Sequence, residues 1–288
     1  MTLGATMGMK RRIFLSNILI YFFFVIIILL FVGPILWVIS LSLKTRAEVF
    51  SYPPRLIPRP FAFQNYVHVL TMSRIPVYLA NSVKITFFTL IGNLAVTIPA
   101  AFAFSRFRFR GRRQLLFTIL IFQMISHLIV AIPLYRYAVQ LNMLNSHTAL
   151  ILVYITIQIP FTIWLLKGFF DSIPREIDES ALIDGCRETQ VLLLIIIPLA
   201  MPGIAAALVF NTINAWGQFI IPFIFLNRDV QYPISVGILH FVQSQTEGEI
   251  TTHFMAVASV LAVLPALLII TAMQKFVVQV LTAGAVKG

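Results

Sequence analysis

The sequence predicts an all-α membrane protein of six transmembrane helices, and three observations carry that prediction. Mean hydropathy is +0.94, with 59% hydrophobic and only 11% charged residues, against about 25% charged in a soluble domain. Six apolar stretches, 17–43, 79–104, 115–138, 148–168, 199–226 and 254–274, are each long enough to cross a bilayer, which takes roughly 20 helical residues. The basic residues gather between these stretches. The net charge of +11 therefore reads as membrane orientation and not as a nucleic-acid footprint.

The first stretch, "NILIYFFFVIIILLFVGPILWVISLSL", follows a basic Lys10-Arg11-Arg12. It is too long for a signal-peptide core and has no small-x-small cleavage site, so it reads as a retained anchor, kinked at Gly33-Pro34. The connection over 44–78 holds Pro53, Pro54, Pro58 and Pro60. It is predicted to be extended, with a short amphipathic helix near Phe63–Leu70. The second stretch runs into "RFRFRGRR" at 106–113, and the third, read as one span, contains Gln123, His127 and Pro133. Placing the N-terminus inside puts 13 of the 21 Lys and Arg on the inner side: three before the first span, five in 106–113, Lys167, Arg175 and Arg187, then Lys275 and Lys287. The long outer connection carries five of the others, which a long loop tolerates. Six spans return the C-terminus to the inner side. The expected organisation is a tail, first helix and outer loop over 1–76, a core over 77–274 with an inner loop at 171–197, and an inner tail over 275–288.

That inner loop is out of keeping with the rest. Asp171, Glu176, Asp178, Glu179, Asp184 and Glu188 are six of the ten carboxylates of the chain. Ser172 is predicted to cap a helix with Pro174 in its first turn, where a missing N–H costs nothing. Ile173, Ile177 and Ala181 recur at i, i+4 and i+8 and share one face. The carboxylates of the first turns suit the positive end of the helix dipole. Gly185 ends or bends the helix, and "CRETQVLLLIII" resumes towards Pro198. A solvated acidic loop is the bland alternative. An acidic rim around an apolar face fits better with a partner groove of basic rim.

Several chemistries are excluded. Cys186 is the only cysteine, so neither an internal disulfide nor a multi-cysteine metal site can form. No G-x-x-x-x-G-K-[ST] occurs, and Lys44-Thr45 has no preceding glycines, so nothing cradles ATP phosphates. His68, His127, His147, His240 and His253 show no ligand spacing, and an enzyme reading has no motif to rest on. Polar side chains inside spans face protein or a watery path. Asn211, Asn214 and Gln218 recur at three and four on one face, beside Ala207 and Ala215, and read as a pathway stripe; interhelical hydrogen bonding is the alternative. Trp216 points elsewhere and reads as packing.

The residues "EIDESALIDGCRETQVLLLIIIPL" resemble the inner-loop signature of ABC importer permeases, E-A-A-x3-G-x9-I-x-L-P. Glu179, Ala181, Gly185, Ile195 and Pro198 stand at its spacings, with Ser180 and Ile197 as mild departures. "FFDSIPREIDES", "PLAMPGIAAALVFNTINAWGQF", "WVISLSLK" and the ending "AGAVKG" resemble the carbohydrate branch, and the second permease of the maltose type in particular. The resemblance covers nearly the whole chain. It implies the type I importer permease fold with a cytoplasmic coupling helix, in the plasma (inner) membrane with both termini cytoplasmic. The implied partners are a second permease subunit, two ATPase subunits that hold ATP and Mg, and an extracytoplasmic solute-binding protein. The implied substrate is a sugar, oligosaccharide or related polyol or sugar phosphate. Glu179, Ala181, Asp184, Gly185 and Pro198 would then couple to the ATPase, and Gly284, Lys287 and Gly288 would contact it from the tail, unless that tail is simply a disordered terminus. That family often has Asn-Glu after the tryptophan; Gly217-Gln218 here carries no charged role. The competing classes are an ion-coupled secondary carrier, for which the spans supply no Asp or Glu, and an ABC permease for a non-sugar solute.

Overall fold

The computed structural model describes residues 3–244 and 252–285, with side chains over 17–126, 128–241, 252–272 and 274. Every regular element among these residues is helical. Two compact units divide the chain at Met72/Ser73, Ser244 and Val260/Leu261.

The first unit comprises the described residues 3–72 and 252–260. Helix α1 (Leu3–Ser42) contains a 26-residue apolar stretch from Asn17, with Pro34 inside it. Apolar side chains from Ile18 to Phe31 are all exposed in the isolated chain, as expected of a helix that meets lipid rather than a protein core. At its end Asn65 Nδ2 donates to the carbonyls of Ser42 and Lys44, both at 2.9 Å, and the Ser42 and Tyr66 hydroxyls are 2.7 Å apart. Lys44 is buried, with its ammonium 4.7 Å from the Trp37 ring centre, so the charge is met by a π-face. Helix α2 (Arg46–Val49) begins on a Thr45–Glu48 capping box, and α3 spans Gln64–Met72. The expected short helix is thus present, and the connection after α1 is pinned to the end of that helix through Asn65.

The second unit holds the remaining helices. α4 (Ile75–Arg106) and α7 (His147–Asp171) pack along their length, and α11 (Met201–Gly217) lies against both. At one end they share a core of Ala101, Phe102, Leu166, Phe170 and Ala207, joined by Ile196. At Gly203 a Cβ would stand 2.2 Å from Phe169 Cγ. Only glycine permits this approach of α11 to α7, as small residues do at helix crossings within membranes.

Two of the six expected spans are broken. The third divides into α5 (Arg112–Gln123) and α6 (His127–Gln140), which meet at 93°, with Ser126 capping the second piece. Ahead of the fifth, α8 (Arg175–Ile183) is followed by α9 (Glu188–Gln190), a π-helical stretch (Val191–Ile196) and α10 (Ile197–Leu199). This segment bends by 77° at Ala200 into α11. Pro202, at the second position of α11, supplies no N–H and crowds the carbonyl four residues back, which breaks the helix there. α11 stops at Gly217, Gln218 is extended at φ −68° and ψ 120°, and α12 (Ile220–Phe225) follows. Residues Asp229–Gln231 form a 3-10 turn, and α13 covers Ile234–Ser244. Among the described residues four helices are long and apolar enough to cross a membrane singly, and the count reaches six when each bent pair is one span. α14 (Thr252–Ala285) continues as helix beyond the predicted end at 274.

Candidate functional site

Helix α8 starts directly after Pro174, whose φ of −54° suits the N-cap position it occupies. Ser172 does not cap α8: it ends α7, and its hydroxyl donates to the Phe169 carbonyl at 2.7 Å. The other end is a Schellman turn. Gly185 sits at φ 89°, its N–H bonds the Leu182 carbonyl at 3.1 Å, and the Cys186 N–H reaches the Ala181 carbonyl at 3.0 Å. Open space surrounds Gly185, so the glycine is required by its backbone and not by crowding.

Glu179, Asp184, Gly185 and Pro198 are exposed, whereas Ala181 is buried beneath the helix. Ile173 joins Ala181 in the core, but Ile177 is exposed and Asp178 is the residue turned inward. The inward face is therefore rotated by about one residue from the apolar repeat. Leu182 and Ile183 are exposed beside Glu179 and Asp184, giving an apolar tip with carboxylates at its rim.

Asp178 is held by Arg106 at the end of α4. Their side chains are 11% and 9% exposed, Nε meets Oδ2, and Nη2 lies 3.4 Å from Oδ1. The same guanidinium donates to the carbonyls of Phe170 (3.1 Å) and Ile173 (3.2 Å), which end α7 and precede α8. Arg175 Nη2 returns to the Ser105 carbonyl at 3.1 Å, and the Ser105 hydroxyl donates to Asp171 Oδ1 at 2.6 Å. Lys167 pairs with the other oxygen of Asp171. One buried arginine thus joins α4, α7 and α8, with its donors distributed over a carboxylate and two carbonyls as a buried charge requires. Sequence reasoning counted Arg106 among five inner arginines and Asp178 among the first-turn carboxylates that suit the helix dipole. The available signal was Asp178 standing one residue beyond Ile177, on the edge of the apolar face.

The three residues of the pathway stripe separate. Asn211 is fully buried; its Nδ2 donates to Asn93 Oδ1 at 3.0 Å and its Oδ1 lies 3.1 Å from Thr162 Oγ1. Asn93 Nδ2 in turn reaches the Ile155 carbonyl at 3.4 Å. This polar cluster locks α4, α7 and α11 together. Asn214 and Gln218 instead line a small cavity with Gln123, Tyr154 and Gln158. Trp216 is buried and donates to the Ala262 carbonyl at 3.0 Å.

At the opposite end of α4, Asp229 accepts from Arg74 and from the Tyr78 hydroxyl. Asn81 Nδ2 donates to the carbonyls of Val230 (2.9 Å) and Tyr232 (3.0 Å). Burial, and then the charge of Asp229, push the Tyr232 phenol above its ordinary pKa, so it stays neutral. Of the tail, Gly284 lies in the last turn of α14, while Lys287 and Gly288 lie outside the described residues.

Residues 92–282 match the family model described as binding-protein-dependent transport system inner membrane component. The chain is 34% identical to the galactooligosaccharides transport system permease protein GanQ of Bacillus subtilis (strain 168), over 97% of this chain and 99% of that one. It is 30% identical to the diacetylchitobiose uptake system permease protein DasC of Streptomyces coelicolor, over 90% of this chain and 94% of that one. In fold it resembles a chain from the crystal structure of a bacterial ABC transporter involved in the import of the acidic polysaccharide alginate. The TM-score is 0.80 at 24% identity, over 93% and 98% of the two chains.

Proposed function

From the premise that this chain belongs to the family of binding-protein-dependent transport system inner membrane components, we propose that it is the permease subunit of an ATP-driven importer of an oligosaccharide or related carbohydrate. The relatives described above are named for galactooligosaccharides and diacetylchitobiose, and saccharide chemistry suits a cavity walled by the amides of Gln123, Gln158, Asn214 and Gln218. Neutral amides offer both donors and acceptors to hydroxyl groups without holding them as tightly as a charge would.

The observation that carries the coupling role is α8, an acid-rimmed apolar tip backed by the buried Arg106–Asp178 pair. Two ATPase chains, each with ATP and Mg, dock such tips on this chain and on a second permease subunit. Closure of the ATPase pair draws the tips together and turns the permease halves from inward- to outward-facing; hydrolysis resets them. Glu179 meets a basic residue of the ATPase, and both termini lie on the ATPase side. An extracytoplasmic binding protein delivers the substrate. The tail after Gly284 reaches the ATPase pair.

The test is uptake by the complex assembled with its ATPase, second permease and binding protein. Saccharide uptake should require ATP and the binding protein, and Glu179→Lys should abolish it while this chain stays inserted. Uptake driven by an ion gradient without ATP would establish the secondary-carrier class. Undiminished uptake in Glu179→Lys would remove the coupling role.

A further inference from the structure

We infer that the inner end of α5 and α7 forms a binding site for the phosphate of an anionic phospholipid, with one acyl chain running along α5. This goes beyond the transport reading and does not depend on which solute is carried.

Arg112, Arg113, Gln114 and Lys167 line an open cleft together with Phe109 and Leu116. Asp171 neutralises Lys167, and Arg112 also holds the Phe107 carbonyl at 3.4 Å, so the cleft keeps the charge of the two arginines. Helix α5 opens onto it. Its N-cap is Gly111 at φ 81°, with no side-chain cap, and the first-turn N–H groups of Arg113 and Gln114 have no carbonyl four residues back within the helix. Partial positive charge from the helix end therefore adds to that of the guanidinium groups.

The ligand is distinguished by what continues from the cleft. Arg113, Phe117 and Ile121 stand at i, i+4 and i+8, on one face of α5. The Arg113 guanidinium lies 5.6 Å from the Phe117 ring centre, and Phe117 and Ile121 are 54% and 62% exposed. A cationic head leading onto an exposed apolar stripe complements a phosphodiester joined to a hydrocarbon chain. A free phosphate would use the head alone. Basic pockets between membrane helices at the inner surface take anionic headgroups in this manner.

The experiment is native mass spectrometry of the assembled transporter, extracted from vesicles of phosphatidylcholine with phosphatidylglycerol. The wild type should retain phosphatidylglycerol in preference to phosphatidylcholine. Arg112→Gln with Arg113→Gln should lower that retention by about tenfold or more, since each cation near the surface contributes on the order of a fewfold. Arg108→Gln with Arg110→Gln removes the same charge outside the cleft and should leave retention within about twofold. Arg113→Gln alone, at an exposed position, keeps the test open if the double variant does not assemble, and should show a several-fold loss. Equal losses in the two double variants would reduce the cleft to a diffuse positive surface. Displacement of the lipid by inorganic phosphate, at ionic strength matched with chloride, would assign it to a small anion instead.

Discussion

Arg106 is worth more than the other arginines of 106–113 because its charge is buried and paired with Asp178. Arg106→Gln or Asp178→Asn leaves the partner charged and out of water, which costs about 3–5 kcal/mol. Each should lower the abundance of inserted chain and the thermal midpoint of the purified complex. The reciprocal exchange, Arg106→Asp with Asp178→Arg, should recover part of the loss in the same melt; no recovery would make the packing of Arg106, rather than the pair, the source of stability. Asn211 and Asn214 should part company in the same way. Asn211→Leu strands Asn93 inside the bundle, on the order of 1 kcal/mol, and should lower abundance and transport together. Asn214→Leu, on the cavity wall, should lower uptake with abundance unchanged. Immunoblots beside initial uptake rates separate the two. Sequence spacing put both asparagines on one face, which was sound, but a helix face two residues wide can meet a neighbouring helix at one edge and a cavity at the other. The exposure of Glu179 and Asp184 was legible because carboxylates without partners stay wet. Asp178 was not, since nothing in its own neighbourhood announces an arginine 72 residues earlier.

At the scale of elements, the close approach of α11 to α7 predicts that Gly203→Ala is poorly tolerated. The added methyl meets the Phe169 ring, an overpacking of about 1–3 kcal/mol, and Phe169→Leu in the same chain should restore part of the thermal midpoint. Gly185→Ala acts differently. Its methyl has room, so the cost is the left-handed backbone alone, about 1–2 kcal/mol. It should appear as weaker stimulation of the ATPase by substrate-loaded binding protein, with insertion intact. The helices themselves were largely legible, because long apolar runs are local signals. The breaks at Ser126 and Ala200 were not. Hydropathy sums over a window and carries no direction, and proline is ambiguous: Pro34, Pro99, Pro160 and Pro265 all sit inside continuous helices, whereas Pro202 follows a bend. A freed carbonyl inside a membrane helix can be met by neighbours, and sequence alone does not say where such neighbours stand.

For the whole molecule, the orientation is open to a direct chemical test. Cys186 is partly exposed next to the turn at Gly185, so a membrane-impermeant maleimide should label it in inverted vesicles and not in intact cells. Labelling should slow when the ATPase is bound; reaction from outside would reverse the topology. The charge count predicts this orientation, whereas the tie between the two ends of α4 emerged only from tertiary pairing. Helix α4 is fastened at both ends, by Arg74 and Tyr78 to Asp229 and by Arg106 to Asp178. With 32 residues at about 1.5 Å each, it is a rod of about 48 Å. A lever of that length pivoting near one end through about 10° carries its far end some 8 Å. Because a hydrogen-bonded helix resists stretching, little of that travel is absorbed as slack along the way. A small displacement of α8 at one end of the rod is thereby geared into a displacement of the Asp229 turn at the other.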